Sequence, residues 1–489
     1  MNQDTRFFGH PAGLSTLFFT ELWERFGYYG MRALLVLFMT ASASAGGMGM
    51  NTTTAFAIYG LYTASVYGFS LPGGWLADRI LGQRRAVMYG GLIISAGYFM
   101  LAVPNESVFF LGLPMIVLGT GLLKPNISTI VGQIYRPGDP RTDAGFSIFY
   151  MGINIGATVS PLICGYVGER INWHYGFGLA GVGMLCGVLT FWMGRHRLGE
   201  AGVHPVAPPT PEIGRQWRRQ FHLSIIGLVA AAALLAYLHL SGTMPLDAER
   251  LVNAAGVLLA IITLGLFGWM FFGGDWTPAE RKRLMVIIVL FCGSSLYWAA
   301  FEQAGSSFNV FAKLNTERVL FGFDFPASWF QALNAGFIIC FAAAFAWLWL
   351  KMGDRQPSSV MKFALSLFFA TGTFVVMMLA AQRAGTDGRV SPMWLVVTYL
   401  LQTLGELLLS PVGLGAMTRL APKRVAGLMM GVWFLSISMG NYLAGKTASI
   451  YGNLPPFELF RTLGIIMVVA AVILTLIARP VSKLIGDVK

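Results

Sequence analysis

Charged residues and cysteines are scarce in this sequence. Of its 489 residues, only 11% are Asp, Glu, Lys or Arg, whereas 55% are hydrophobic, and the mean hydropathy is +0.64. This composition excludes a soluble multidomain protein and is typical of a protein that crosses the membrane many times. The cysteines lie within apolar runs with neither metal-ligand nor pairing spacing, so we expect inert packing residues: Cys164, Cys186, Cys292 and Cys340.

Signals for enzymatic function and for secretion are also missing. The sequence has no His-Glu-x-x-His, no Gly-x-Ser-x-Gly and no paired intramembrane aspartates, the patterns that would supply an intramembrane enzyme with a metal site or a nucleophile. We therefore expect no enzymatic activity, no bound metal and no cofactor. The first apolar run carries charges and lacks a small-residue cleavage site, which indicates a retained helix and not a signal peptide.

Fourteen apolar segments are long enough to be membrane helices. We predict them near residues 15–43, 53–79, 85–103, 108–134, 143–169, 174–196, 219–240, 250–272, 283–312, 327–351, 360–381, 392–419, 424–448 and 459–479. The predicted organisation is a six-helix bundle over residues 1–200, a linker with two inserted helices over 201–277, and a second six-helix bundle over 278–489. A Pro-rich stretch at 204–211 immediately precedes the insertion.

A short internal sequence similarity supports this arrangement of six, two and six helices. Gly74-Trp-Leu-Ala-Asp78-Arg79 follows the second predicted helix, and Met352-Gly-Asp354-Arg355 follows the second helix of the other bundle. Transporters built from repeated bundles carry their substrate site between the halves. The similarity therefore predicts a site at the interface of the two bundles.

The basic residues fall mainly on one side of the predicted helices. Of the 34 Lys and Arg residues, 23 lie on the side of the N-terminus and 8 lie in the opposite loops. By the positive-inside rule this side is cytoplasmic, and the even number of helices places both termini there. The net charge of +12 thus reflects topology, and we expect no nucleic-acid partner. The basic clusters on this side are Arg84-Arg85, Arg218-Arg219, Arg281–Arg283 and Lys423-Arg424.

The first predicted helix concentrates ionisable residues on one face. At about 100° per residue, one arc of about 140° contains Glu21, Glu24, Arg25, Tyr28, Tyr29 and Arg32. One charge at the bilayer centre costs about 2.5–3.5 kcal/mol on insertion scales, so four unpaired charges would oppose insertion. We expect this face to line a polar interior, as in a proton or substrate pathway. The alternative is a set of buried ion pairs that only fixes helix packing.

Three more ionisable residues lie deep in predicted helices: Glu302, Glu406 and Lys124, the last followed by a kinking Pro125. Four intramembrane acids therefore face three bases, and one carboxylate has no permanent partner. Burial favours the neutral form of such a carboxylate, so we expect it to take up a proton. Arg32 and Lys124 lie in the first half, and Glu406 lies in the second. This separation of positive from negative side chains suits a zwitterionic substrate whose two charged ends are bound by opposite halves.

One motif matches a nucleotide-binding pattern in a context that does not suit nucleotide binding. Gly440-Asn-Tyr-Leu-Ala-Gly445-Lys446-Thr447 matches the P-loop pattern, which works by joining a strand to a helix N-terminus so that backbone N–H groups cradle phosphates. This copy ends a predicted membrane helix and faces away from the cytoplasm. We therefore expect no ATP site.

Three motifs carry a resemblance to a known family. Glu21-x-x-Glu24-Arg25-Phe26-x-Tyr28-Tyr29-Gly30 resembles the signature of the proton-coupled oligopeptide transporter (POT, or PTR) family of the major facilitator superfamily. Phe149-Tyr150-x-x-Ile153-Asn154-x-Gly156 and Gly121-Leu-Leu-Lys124-Pro125-Asn126 resemble two further family motifs, and the loop over 74–85 resembles the cytoplasmic motif of the superfamily. The resemblance runs from the first helix to the last.

The resemblance implies a fold and an activity. The fold is an all-α major facilitator core of twelve helices plus the two-helix insertion usual in prokaryotic members. The activity is uptake of di- and tripeptides, driven by protons moving inward, through alternating access. The resemblance also implies a multi-pass protein of the bacterial inner membrane that works as a monomer in the lipid bilayer, with protons as the coupling ion.

The resemblance also implies roles for individual residues. Glu21, Glu24 and Arg25 would couple the proton. Arg32 and Lys124 would bind the peptide carboxylate, and Glu406 with Asn334 would bind the amine. The pairs Arg32–Glu302 and Lys124–Glu406 would close opposite faces as the halves rock. The side-chain pockets would be lined by Tyr29, Tyr67, Tyr150, Asn154, Trp298, Ser410 and Trp433.

One departure and two alternatives accompany this interpretation. Ala335 follows Asn334 where family members often have proline, which leaves the bend of that helix, and so the placement of Asn334, to be tested. A family member that transports nitrate or another small anion is the alternative substrate class, although an anion gains nothing from the acidic Glu406. A membrane receptor or scaffold would not need four buried acids.

Overall fold

The computed structural model describes residues 5–136, 138–243, 247–274, 276–422, 428–451 and 453–484. The chain is almost entirely helical within these ranges. Its α-helices are α1 Gly13–Thr40, α2 Thr52–Gly68, α3 Ser70–Leu76, α4 Gln83–Leu101, α5 Glu106–Gln133, α6 Thr142–Arg170, α7 Trp173–Gly194, α8 Pro211–Leu240, α9 Ala248–Phe272, α10 Pro278–Phe301, α11 Ser307–Leu314, α12 Ala332–Met352, α13 Ser359–Asp387, α14 Met393–Leu420, α15 Met429–Tyr451 and α16 Pro456–Lys483.

These helices confirm the predicted fourteen, because α2 with α3 and α10 with α11 each form one broken membrane helix. Within the described residues, nine helices have the length and hydropathy to cross a membrane. α1 is not one of them, since it carries the four ionisable residues discussed above. The cluster Lys423-Arg424, and the start of the helix predicted at 424, lie outside the described residues.

The predicted helix over 53–79 is interrupted at Phe69. Pro72 has no N–H to donate to the carbonyl of Gly68 four residues earlier, so the helix cannot continue unbroken through this point. The segment after α3 then widens into a π-helical turn over Ala77–Leu81. Pro72 is a sequence signal for the interruption, whereas the apolar run gave no sign of the π-helical turn.

The predicted helix over 283–312 is interrupted as well. α10 ends at Phe301, a buried 3₁₀ turn covers Glu302–Gly305, and α11 follows. The loop after α11 contains a two-residue antiparallel ribbon, β1 Val319–Leu320 and β2 Phe323–Asp324. A second 3₁₀ turn over Ala327–Gln331 leads into α12. These turns place polar backbone and side chains between the halves.

Two seams join the bundles. α2 packs against α15, and α6 packs against α12. The first seam is tight because glycine faces glycine: a methyl group added to Gly60 would lie 2.4 Å from the Cα of Gly445. Small residues allow such close backbone approach between membrane helices.

The inserted helices lie outside the bundles. α9 packs against α2 and also against α10 and α15, and Lys446 Nζ donates to Asn253 Oδ1 at 2.7 Å. The second inserted helix therefore contacts both halves. The division of the chain at residues 200 and 278 stays a prediction.

We call the membrane face with residues 5–12 and 195–210 the terminal face. The face with the connections over 41–51 and 315–331 is then the opposite face, because successive helices alternate in direction.

Candidate functional site

An acid–base triad occupies the buried face of α1. Arg25 Nη2 donates to Glu24 Oε1 at 2.7 Å, and its Nε donates to the other oxygen of Glu24. The same Nε lies 3.4 Å from Glu21 Oε1. All three side chains are at most 3% exposed. The i, i+4 spacing of Glu21 and Arg25 on one helix face produces this arrangement.

The triad has more acceptors than donors. Glu21 Oε2 is buried and has no hydrogen-bond partner, whereas Arg25 satisfies both oxygens of Glu24. Two carboxylates share one guanidinium, so the group carries an excess negative charge in an apolar interior. A proton on one carboxylate would remove that charge and supply a donor, which makes the triad suited to proton binding.

Lys124 of α5 lies close to this triad. Its Nζ sits 4.2 Å from the ring centroid of Tyr67, a cation–π distance. It interacts electrostatically with Glu21, Glu24 and Arg25. Within the described part of the chain, Lys124 forms no salt bridge. Its positive charge is therefore available to an anionic group in the space between the halves.

A second ionic contact joins the halves near the opposite face. Arg32 Nη2 of α1 lies 3.1 Å from Glu302 Oε2, the first residue of the 3₁₀ turn after α10. Tyr59 of α2 completes the contact, because its hydroxyl accepts from Arg32 Nε at 2.7 Å and donates to Glu302 Oε2 at 2.6 Å. Gly305 permits this approach, since a methyl group there would lie 1.9 Å from the Tyr59 hydroxyl. The structure thus brings the predicted pair Arg32 and Glu302 together.

Glu406 of α14 faces Asn334 of α12. Asn334 Nδ2 donates to Glu406 Oε2 at 3.0 Å and to Thr403 Oγ1 at 3.1 Å. Asn334 thus contacts Glu406 although Ala335 and not proline follows it, and α12 begins at Ala332 directly after the 3₁₀ turn over Ala327–Gln331. Within the described residues Glu406 forms no salt bridge, so the predicted pair Lys124–Glu406 is not formed in this conformation.

The predicted pocket residues lie around these charges. Tyr150 is 40% exposed and interacts electrostatically with Glu406 and Tyr29. The guanidinium carbon of Arg32 lies 5.6 Å from the ring centroid of Tyr29. Asn154 is occupied within its own helix, where its amide donates to the Tyr150 carbonyl at 2.9 Å. Tyr29 of α1 and Tyr150 of α6 therefore lie within electrostatic range of Glu406 of the second half.

Three further predicted residues come from α10, α14 and α15. Trp298 Nε1 and Ser410 Oγ are buried without a hydrogen-bond partner. Trp433 is 6% exposed, and its ring packs against Gly413, where a methyl group would lie 2.2 Å from it. Unpartnered buried donors carry a desolvation cost, and the ligand-binding role of Trp298, Ser410 and Trp433 stays a prediction.

Sequence reasoning missed Tyr59 and Thr403. Tyr59 is one of several tyrosines in the second predicted helix, and a pattern of 3.6 residues cannot tell which of them faces Arg32 before the partner helices are placed. Thr403 precedes Glu406 by three residues, so it shares a helix face with it. The spacing of three residues could therefore have indicated from the sequence that Thr403 lies beside Glu406.

The P-loop match has a packing explanation. Residues 440–447 lie inside α15, so their backbone N–H groups serve the helix and form no phosphate cradle. A methyl group at Gly440 would lie 2.5 Å from Trp298 Cβ, and Gly445 is the partner of Gly60 in the seam. The two glycines of the pattern are positions of close helix approach.

The fold and the site define a secondary transporter of the major facilitator type. A family model described as PTR2: POT family matches residues 84–456. The peptide transporter YePEPT of Yersinia enterocolitica is 41% identical over 98% of this chain and 96% of its own length. A di-/tripeptide transporter of Lactococcus lactis is 39% identical over 99% of this chain and 98% of its own length.

A solved structure agrees with these relatives. The peptide transporter POT in complex with sulfate superimposes with a TM-score of 0.93 at 44% identity and covers 99% of this chain and 97% of its own. The chain belongs to the POT family. The family predicted from the three motifs is confirmed, and so is the major facilitator fold.

Proposed function

We propose that this chain imports di- and tripeptides together with protons by alternating access between its two halves. The observation that carries the proposal is the polarity of the site. Arg32 and Lys124 of the first half supply positive charge, and Glu406 of the second half supplies negative charge with Asn334 beside it. A short peptide is a zwitterion of matching polarity. The named peptide transporters among the relatives support this substrate class.

In this proposal the peptide bridges the halves. Its carboxylate lies between Arg32 and Lys124, and its ammonium group lies at Glu406. The side chains of the peptide contact the aromatic and polar lining: Tyr29, Tyr67, Tyr150, Asn154, Trp298, Ser410 and Trp433. A ligand held at both ends by opposite halves favours the conformation that brings the halves together.

The proton binds at the triad of Glu21, Glu24 and Arg25. Protonation of one carboxylate cancels the excess negative charge of the triad. Lys124 lies within electrostatic range of both carboxylates, so a peptide carboxylate at Lys124 changes the field that the proton experiences. Proton and peptide binding are thereby coupled through one lysine.

A small-anion substrate is disfavoured by the same geometry. Nitrate would be attracted by Lys124 but repelled by the ionised Glu406 and by the excess charge of the triad. No salt bridge among the described residues places a positive group beside Glu406. Retention of both acidic groups therefore supports a zwitterionic substrate.

We further propose a bacterial inner-membrane location with the terminal face in the cytoplasm. The excess of Lys and Arg on that side supports this orientation. The contact of Arg32 with Tyr59 and Glu302 then closes the extracellular side, and the unpaired Lys124 and Glu406 belong to a conformation open toward the cytoplasm. Each copy contains the full site, which supports a monomeric transporter without ATP or nucleic acid.

The test is uptake of labelled dialanine by proteoliposomes with and without an inward proton gradient. Wild type should accumulate the peptide only with the gradient. Glu24→Gln should lose accumulation but keep peptide exchange, because the substituted site still binds peptide but cannot carry a proton. The Gln variants of Glu21, Glu302 and Glu406 are measured beside it. Normal proton dependence in all four would overturn the coupling role.

A further inference from the structure

A second polar contact joins the two halves at the opposite face, away from the charges of the central site. Glu169 is the penultimate residue of α6, and its side chain is 1% exposed. Its Oε1 accepts from the backbone N–H of Ser328 at 2.9 Å and from the Ser328 hydroxyl at 2.7 Å. Its Oε2 accepts from Lys313 Nζ at 3.1 Å and from the Ala327 N–H at 3.2 Å. One carboxylate of the first half thus accepts four hydrogen bonds from the second.

The chemistry of this contact makes it strong. Ala327 and Ser328 open the 3₁₀ turn before α12, where backbone N–H groups have no intrahelical acceptor. A carboxylate at such a position forms charge-assisted hydrogen bonds, and Lys313 of α11 supplies a counter-charge. Both oxygens of Glu169 are fully used, and every donor belongs to the other half.

The backbone around Glu169 allows the two halves to approach closely. A methyl group at Gly165, one turn before Glu169, would lie 2.1 Å from the Ser328 hydroxyl. Trp329 Nε1 donates to the Leu162 carbonyl at 3.0 Å. The neighbouring Arg170–Asp324 pair, at 2.7 Å, is about one-third to one-half exposed. Exposed pairs of that kind contribute little, so we expect the buried carboxylate of Glu169 to contribute more than this neighbouring pair.

We infer that Glu169 is a second gating residue, separate from the Arg32–Tyr59–Glu302 contact, that holds the halves closed at the opposite face. The inference rests on the proposed function, since gating has meaning only for alternating access. Glu169 is not among the residues that bind peptide or proton in that proposal. A substrate therefore cannot compete for it directly, and the contact sets the resting balance between closed and open conformations at this face.

The experiment measures the balance between closed and open conformations through the distance between two spin labels. Spin labels are placed on the full chain at Tyr175 in the first half and Leu320 in the second, both exposed at the opposite face, with the native cysteines replaced. Glu169→Gln removes the charge and turns one acceptor into a donor. Loss of one charge-assisted hydrogen bond should raise the ratio of long to short label distances about tenfold. The control is Arg170→Gln, which should leave the distance distribution unchanged.

Two variants that each remove a single hydrogen-bond donor control for misfolding of Glu169→Gln. Ser328→Ala and Lys313→Gln each remove one donor from the second half, and each should shift the distances in the same direction as Glu169→Gln. Combined with Glu169→Gln, neither should add its full effect, because the carboxylate charge that strengthens both hydrogen bonds is already lost. Unchanged distances in all three variants, or full additivity, would overturn the inference.

Transport kinetics separate this role from general structural support. A greater outward-open population should lower the KM for dialanine uptake from outside, because more transporters present the site there. A lower maximal rate at unchanged KM would contradict a gating role. The distance measurement needs no transport, so a wild type that ignores dipeptides would overturn the proposed function and leave the gating inference to be decided by the labels.

Discussion

At the scale of single residues, Arg25 is the side chain whose loss should cost most. It is the common donor to Glu24 and neighbour to Glu21 in a region that is almost fully buried. Arg25→Met would leave two buried carboxylates without the guanidinium that pairs with them, with only Lys124 in electrostatic range. Removing one partner of a buried ion pair destabilises by about 3–5 kcal/mol, so thermal unfolding in detergent should occur at a clearly lower temperature.

Glu21→Gln is the matched control. A neutral amide imitates the protonated acid, and one oxygen of Glu21 has no partner to lose. Its unfolding temperature should stay near that of wild type. Equal stability of wild type and Arg25→Met would show that the triad is not held together by the guanidinium.

Tyr59 provides a second prediction at this scale. Its hydroxyl bridges Arg32 and Glu302, while the direct contact between those two residues stays possible without it. Tyr59→Phe should weaken the closed side by about 1–3 kcal/mol, the cost of unsatisfied buried groups, and should slow proton-driven dialanine uptake. Tyr62→Phe, one turn later on α2, removes a buried hydroxyl that has no partner and should change the rate little. Equal rates for the two variants would contradict the bridging role.

At the scale of helices, the seam between α2 and α15 depends on two facing glycines. Gly60→Ala or Gly445→Ala would place a methyl group 2.4 Å from the partner Cα, so the halves cannot close fully along this seam. Labels at Tyr175 and Leu320 should then report a larger share of long distances. Gly336→Ala is the control, because its methyl group would meet only Thr158 Cγ2 at 4.0 Å. An unchanged distribution in Gly60→Ala would mean that the backbone yields there.

The helices were largely predictable, whereas only one of the two interruptions has a signal in the sequence. Long apolar runs specify membrane helices whatever their neighbours are. The break at Phe69 is followed by Pro72, which the sequence shows. The break at Glu302 lies where that carboxylate is hydrogen-bonded to Arg32 of α1 and Tyr59 of α2, which the sequence alone does not show. For the same reason Tyr59 could not be singled out, although Arg32 and Glu302 could, because charges at depth are conspicuous and hydroxyls are not.

At the scale of the whole molecule, the two ionic pairs are in opposite states. Arg32 and Glu302 are in contact, whereas Lys124 and Glu406 are apart. Alternating access requires these states to exchange, since opening one face must accompany closing the other. In the proposed cycle this structure is one end state, and a contact between Lys124 and Glu406 would mark the other.

This cycle leads to a prediction that separates gating from binding. Spin labels at Thr129 of α5 and Arg419 of α14, both exposed near the terminal face, should move closer when dialanine is added to wild type. Lys124→Gln and Glu406→Gln should each abolish most of this shortening, because each leaves one member of the pair without its counter-charge.

The exchanged variant, Lys124→Glu combined with Glu406→Lys, keeps opposite charges at the two positions and should recover a short-distance population. It should nevertheless fail to take up dialanine, because the peptide carboxylate would then face an acid and the ammonium group a base. Normal uptake by the exchanged variant would refute the assigned polarity of the site. A distance distribution like that of the single variants would instead show that Lys124 and Glu406 do not form the closing pair. The two outcomes are distinct, because peptide binding depends on which position carries which charge, whereas closure depends only on the two charges being opposite.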